Sequence, residues 1–376
     1  MARKSRKFMV AREELPSLLE RLLALPTTTF HERFVSSFLS EELKKSGLDF
    51  HLDRYGNLIA GSPDGKSPIA FIAHMDHPGF EITDAGNGWA KARWFGGVDS
   101  GLFAGTRVVI YDQSTGALRA RGVVEKIHPN GQGRVETMEL RAKGTTTPGD
   151  FGSWDLVPFR FREGRIHTKG ADDLVGCAAI LSALREVQAR RIPAHIVGVF
   201  TRAEEHGFLG TLGMIRQRIL SPATRIVSVE TSKALPGAAL GGGPVIRLGD
   251  RTSLFHPDMA LFMDHVAREL KRREPDFAYQ RRIMDGGTCE ATPYQLNGHP
   301  AGGVAVPLHN YHNQGRKRIA PEAVHLADVA ATVRFLVEIA AREAEFHQPR
   351  EELLRRWQAS WTQHEERLLP KRGELK

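Results

Sequence analysis

The chain has 376 residues, 41% apolar and 26% charged, a balance that excludes wholesale disorder and allows one large domain with a smaller one inserted. Met1 to Phe8 is basic but runs into Glu13 and Glu14 without an apolar signal run, no later stretch nears the ~20 apolar residues of a membrane span, and two cysteines, Cys177 and Cys289, are too few for a disulfide framework, so a soluble cytoplasmic protein is expected. Lys plus Arg (52) exceed Asp plus Glu (44), a formal +8. The densest basic clusters, Arg3–Lys7, Lys271–Arg273 and Arg316–Arg318, have no interleaved aromatics and no recognisable binding module, so they read as solvated surface and nucleic acid is not the expected partner.

In chain order, Leu15, Leu18, Leu19, Leu22 and Leu23 predict an amphipathic helix over 12–25, and Phe34, Phe38, Leu39 and Leu43 a second over 30–46. Strands are predicted at 57–60 and 68–73, the latter apolar on both faces as buried parallel strands are. From 78 to 164 the texture changes to many glycines and short β-rich runs (106–111, 122–127, 137–140), which predicts an inserted small β-barrel-like domain. Alternation then resumes, with helices over 172–189 and 210–218 and strands over 195–201 and 225–230. A helix over 257–273, a strand over 303–306 and a helix over 321–345 follow.

This pattern predicts an α/β fold, a helix-covered and mainly parallel sheet built from 1–77 and 165–345, interrupted by the insert at 78–164. A charged helical tail, 346–376, carries Leu353, Leu354, Trp357 and Trp361 at helical intervals, and packing within the chain is expected of it.

Acids and histidines fall at the ends of the predicted strands. His74 and Asp76 follow one, Glu204 and Glu205 another, Glu230 ends its own, His312 follows the strand at 303–306, and Asp172 and Asp173 open a helix after Gly170. In open α/β sheets, ligands bind beyond the carboxyl ends of the strands, so these groups are expected to converge. Bare carboxylates in one place disfavour each other's ionisation, and bound cations relieve that. Imidazole and carboxylate donors suit zinc, and also cobalt or manganese. Two histidines and at least three acids exceed one tetrahedral site, whereas two metals sharing a carboxylate would use them all. Asp173 reads as a helix cap, and both cysteines as small buried apolar residues.

The segments Ala73-His-Met-Asp, Ala171-Asp-Asp-Leu-Val-Gly-Cys, Ala203-Glu-Glu-His-Gly, Val229-Glu and Tyr311-His312 occur in the order of the co-catalytic di-zinc aminopeptidases. The β-rich insert between His74 and Asp172 is similar to the tetrahedral-assembly (TET) branch, also called glutamyl or deblocking aminopeptidases. The resemblance covers roughly 12–340, with further echoes in Asp53-Arg-Tyr-Gly-Asn, Gly149-Asp150, Gly243-Pro-Val-Ile-Arg and Gly286-Gly-Thr.

It implies a homo-oligomeric enzyme that acts on peptide substrates with two divalent ions, most simply Zn2+. Asp172 would bridge the ions, His74 and Glu230 would hold one, and Glu205 and His312 the other. Asp76 would orient the His74 ring, and Glu204 would be the general base. Two stretches depart from the family, His77-Pro78 and Cys289-Glu290, and both are expected near the substrate pocket. The alternatives left open are an amidohydrolase or deacylase acting on N-acyl substrates with the same metal pair, and an inactive scaffold or polyanion-binding homologue.

Overall fold

A computed structural model describes residues 10–61 and 68–369; the basic cluster Arg3–Lys7 lies outside them. Helices α1 (Val10–Leu23) and α2 (Arg33–Lys45) bury the expected leucines, among them Leu18, Leu19, Leu22, Leu39 and Leu43. The hairpin β1 (Phe50–Leu52) and β2 (Leu58–Ala60) leads to β3 (Ile69–His74), which is buried along its whole length.

The insert is a closed barrel. Strands β4 (Gly79–Gly86), β5 (Trp89–Phe95), β6 (Arg107–Tyr111), β7 (Leu118–Pro129), β8 (Val135–Gly144) and β9 (Phe151–Trp154) pair in the order β4-β5-β8-β7-β6-β9. Closure removes the free edges that so many short strands would otherwise expose. The core is aromatic, with Trp94 and Phe103 packed 4.7 and 5.1 Å from Trp154 between ring centroids. Gly152 sits where a β-carbon would collide with the Val109 carbonyl and the Phe80 ring, so the approach of β4, β6 and β9 requires glycine there.

The chain then returns to the sheet through β10 (Arg160–Arg162) and β11 (Arg165–Thr168). It continues through α3 (Leu174–Ala189), β12 (Ile196–Thr201), α4 (Leu209–Gln217), β13 (Arg225–Lys233), β14 (Val245–Asp250), α5 (Pro257–Arg273), β15 (Gln280–Met284), α6 (Ala291–Leu296), β16 (Ala301–His309), β17 (Glu322–His325), α7 (Leu326–Ala341) and α8 (Gln348–Leu368). The strands form one sheet in the order β1-β2-β12-β3-β13-β16-β17-β11-β10, with β14 also on β16 and β15 on β14. β12, β3, β13 and β16 are parallel neighbours, whereas the strands flanking them on either side are antiparallel. The sheet is therefore mixed, parallel at its centre, where helical crossovers connect the strands, and again where β15 joins β14.

Alternation along the central strands feeds two cores. Ile69, Phe71 and Ala73 of β3 face α1, α3 and α7, while Ala70 and Ile72 join Met214 of α4 and Tyr294 of α6 on the other side. The stretch read as one helix over 321–345 divides in two. Glu322–His325 is β17, recruited by pairing with both β11 and β16, and α7 starts only after His325, whose ring accepts the Ala327 N–H.

The expectation for the tail is also corrected. Pro349 of α8 is buried, but Leu354, Trp357 and Trp361 face solvent. Among the described residues no helix is long and apolar enough to cross a membrane.

Candidate metal centre

The carboxyl ends of the parallel strands bring the predicted groups together. His74 is the last residue of β3 and pairs in register with Thr201 of β12, after which Ala203 takes a left-handed turn (φ 52°) that presents Glu204 and Glu205. Glu230 lies within β13, opposite Ala305 of β16, and His312 sits beyond β16 in a left-handed turn of its own (φ 54°). Asp172 precedes α3, where Asp173 caps the helix by accepting the Gly176 N–H at 3.2 Å, as its position suggested.

Asp172 stands between the two histidines. Its Oδ1 is 3.5 Å from His74 Nε2 and its Oδ2 is 3.5 Å from His312 Nε2. Glu205 Oε1 is 2.9 Å from His312 Nε2, and Glu204 Oε2 is 3.9 Å from His74 Nε2. Donor atoms of His74, Asp172 and Glu205 lie within 4.8 Å of one another, as do those of His74, Glu204 and Glu230. Asp172 Oδ1, Glu205 Oε1 and His312 Nε2 are buried without a hydrogen-bond partner. Buried polar atoms are normally paired, so three orphaned ligand-type atoms converging on one space fit a cation site.

The electrostatics point the same way. Burial pushes the Glu204 carboxyl well above its usual range, with Glu205 and Glu230 adding to the effect against the pull of His74. Burial likewise takes Glu230 up to about 8. Burial alone would lower His74 and His312, but the facing carboxylates outweigh it and both rise. An uncompensated cluster of this kind holds protons that cations would replace.

Beneath the donors lies a set of positioning contacts. Asp76 accepts the backbone N–H groups of Glu204 (3.0 Å) and Glu205 (3.2 Å) and the Thr29 hydroxyl (2.8 Å). His74 Nδ1 is nearer the Asp76 carbonyl oxygen, at 3.1 Å, than its carboxylate, at 3.5 Å. Asp76 thus fixes the Glu204–Glu205 turn as much as the ring.

Several groups with no legible motif complete this shell. Glu322 accepts N–H bonds from Ala171, Asp172 and His312, which ties the bridging aspartate to the far histidine. Glu32 accepts from Ala203 N and pairs with Arg202 at 2.7 Å. The hydroxyls of Thr27, Thr28 and Thr29 bond in turn to Met75, His77 and Asp76. The barrel contributes the Gly97 carbonyl, 2.8 Å from His312 Nδ1. The one local signal was the run of three threonines, whose partners lie some fifty residues away.

Of the departures from the family pattern, His77 does reach the centre, with Nδ1 on the Asp172 carbonyl and Nε2 3.0 Å from Asn313 Oδ1. Cys289 and Glu290 are buried directly after Gly287 and Thr288, which line the pocket beside Glu230. Cys289 is buried in the core shared by α4 and α6, and Glu290 accepts the Thr201 and Thr211 hydroxyls beneath β12. A small pocket opens beside Glu230, lined in part by Lys233, Arg247, Thr288 and Tyr311.

A family model described as M42 glutamyl aminopeptidase matches residues 56–335. Among solved structures, the TET1 peptidase of Pyrococcus horikoshii, described as assembling into a tetrahedron or a large octahedral shell, superposes with a TM-score of 0.72 at 22% identity over 87% of this chain and 99% of its own. The aminopeptidase APDkam598 of Desulfurococcus kamchatkensis superposes at 0.71 with 24% identity, over 88% and 95%. A TET aminopeptidase from Thaumarchaeota archaeon SCGC AB-539-E09 reaches 0.73 at 19% identity, over 88% and 96%.

Proposed function

The chain belongs to the M42 glutamyl aminopeptidase family, and from that premise we propose that it removes N-terminal residues from peptides with a pair of divalent cations and with Glu204 as general base. The observation that carries this reading is Asp172, with one carboxylate oxygen 3.5 Å from His74 and the other 3.5 Å from His312. A single carboxylate facing two imidazoles is the arrangement a shared ligand needs. His74 and Glu230 would hold one ion, and His312 and Glu205 the other. Imidazole and carboxylate donors suit zinc, with cobalt or manganese compatible by the same chemistry. Bound by these donors, two divalent cations would lower the pKa of water toward about 7 and polarise the scissile carbonyl.

The remaining steps belong to the protein. Glu204, neighbour to a ligand but left out of the two sets, takes a proton from the attacking water and returns it to the leaving amine. Asp76 keeps Glu204 in reach by holding its backbone N–H. Glu322 holds Asp172 and His312 in register with each other. The pocket beside Glu230 presents the buried Arg247 and the exposed Lys233, two cations suited to an acidic first residue. Cytoplasmic residence agrees with two free, buried cysteines, and a homo-oligomer agrees with the assembly described for the Pyrococcus horikoshii relative.

A panel of chromogenic substrates tests the reading. Free-amine aminoacyl compounds should turn over, glutamyl ahead of leucyl, and N-acyl amino acids should not. Turnover of the acylated set alone would replace the peptidase with a deacylase. Glu204→Gln should keep the bound metal and lose about 10²–10⁴-fold in kcat; undiminished turnover would remove Glu204 from its role.

A further inference from the structure

Three aromatic rings from distant segments meet beside the Glu204–Glu205 turn. Phe30 lies between α1 and α2, Phe95 ends β5 of the barrel, and His206 directly follows Glu205. The ring centroids are 5.3 Å (Phe30–Phe95), 5.8 Å (Phe30–His206) and 5.5 Å (Phe95–His206) apart, with interplanar angles of 85°, 68° and 82°. Rings set close to edge-on in every pair make a corner, not a stack. Phe95 is the buried floor of that corner, whereas Phe30 is 41% exposed and His206 is exposed as well.

The corner is tied to the reacting groups. Phe30 has φ 72°, a conformation that is costly for a bulky side chain. It is held there from both sides, with Glu32 accepting its N–H at 2.9 Å and Arg202 donating to its carbonyl at 3.0 Å. The same Glu32 oxygen accepts the Ala203 N–H at 3.0 Å, so one carboxylate fastens Phe30 to the turn that carries Glu204. Thr29, the residue before Phe30, bonds Asp76. On the barrel side, Phe95 closely precedes Gly97, whose carbonyl faces His312.

The order of the sheet sets the direction of a bound peptide. β12, from which Glu204 and His206 continue, adjoins β3 on one side, and β13, which carries Glu230, adjoins it on the other. The aromatic corner and the pocket beside Glu230 therefore flank His74 at the end of β3 from opposite sides. Successive side chains of an extended peptide point in opposite directions. A first side chain seated beside Glu230 thus sends the second toward the β12 flank. Glu204, which returns the proton to the leaving amine, must lie within hydrogen-bond reach of the second residue's nitrogen, and that residue's side chain begins just beyond.

We infer that Phe30, Phe95 and His206 form the subsite for the residue that follows the scissile bond, and that they favour an apolar, above all aromatic, side chain there. The inference rests on the aminopeptidase reading, which makes Glu204 the partner of the leaving amine.

The zinc-loaded full-length chain can be tested on Glu-Phe-Gly, Glu-Leu-Gly and Glu-Gly-Gly by following glutamate release. The kcat/KM for Glu-Phe-Gly should exceed that for Glu-Gly-Gly about tenfold, from contact of one ring with the corner. Phe30→Gly removes a wall and suits the left-handed backbone, and it should cut that ratio to about threefold or less. Calorimetry on the zinc-loaded Glu204→Gln chain reads the same contact without turnover. There Glu-Phe-Gly should bind about fivefold more tightly than Glu-Gly-Gly, with the gap closing when Phe30→Gly is added. Equal kcat/KM for all the peptides in the unaltered chain, as a second copy covering the rings would give, would overturn the inference, and so would a preference that survives Phe30→Gly. Hydrolysis of none of them would instead overturn the aminopeptidase reading, and the calorimetric difference would still decide the ring contact.

Discussion

Lys169 is buried three residues before Asp172, and among the described residues its side-chain contacts are neutral: its Nζ donates to the Ala24 carbonyl at 3.3 Å and lies 5.3 Å from the Tyr111 ring centroid. Burial lowers its pKa to about 8 from the usual 10.5. The folded state therefore binds fewer protons than the unfolded state between those values. The native chain gains stability as pH rises from about 8 to 10.5, and carries the full cost of the buried charge below about 8. Lys169→Met should accordingly stabilise the protein by about 1–3 kcal/mol at pH 7. Urea unfolding should show that gain vanish by pH 10.5, and a loss at pH 7 would refute the burial argument. Of the residues at the centre, His74, Asp172, Glu204, Glu205 and His312 were legible because each ends or follows a strand or precedes a helix, whereas Glu230, expected to end its strand, lies three residues inside β13. Glu322 was not, since its three N–H partners come from segments about 10 and 150 residues away.

At the scale of elements, α2 and α3 are joined through one carboxylate. Glu42 is buried and takes Arg185 at 2.6 Å, Lys45 at 2.9 Å and Arg21 of α1 at 3.0 Å. Burial alone would raise its pKa, but the three cations outweigh burial and bring it to about 2. Its contribution is complete above pH 4.5, the unfolded value, and is lost as pH falls through about 2. Glu42→Gln should cost about 1–3 kcal/mol at pH 7, with the difference closing toward pH 2 in chemical denaturation. A cost that does not depend on pH would place the effect in packing instead. The helices themselves were legible from their leucine spacing. The short strand β17 was not, because Glu322–His325 has no alternation of its own to distinguish it from the start of α7 and is made a strand by two neighbours.

At the scale of the molecule, the barrel packs against the candidate metal centre. The Gly97 carbonyl faces His312, the Asp99 N–H donates to Gln314 at 2.9 Å, and His31 pairs with Glu81 at 2.8 Å. Ligands that bind only the folded state stabilise it, and here they would also relieve repulsion among Asp172, Glu204, Glu205 and Glu230. Chelation should abolish turnover and lower Tm by several degrees, with zinc, cobalt or manganese restoring both. An identical Tm with and without metal in calorimetry would count against a site built from these donors. The tail shows the limit of reading periodicity, because a helical stripe predicts that something is covered without saying by what. Among the described residues, nothing covers more than about half of Trp357 or Trp361.

The amino-acid order alone determined most of the helices and strands, the β-rich insert and the placing of acids and histidines near strand ends, because each rests on spacing within a few residues. Only the tertiary structure decided which atoms face one another: Asp172 between two histidines, Glu322 beneath both, and a barrel carbonyl behind one of them. Those pairings join segments far apart in the chain, and their geometry is set by how the sheet packs and closes rather than by any local preference.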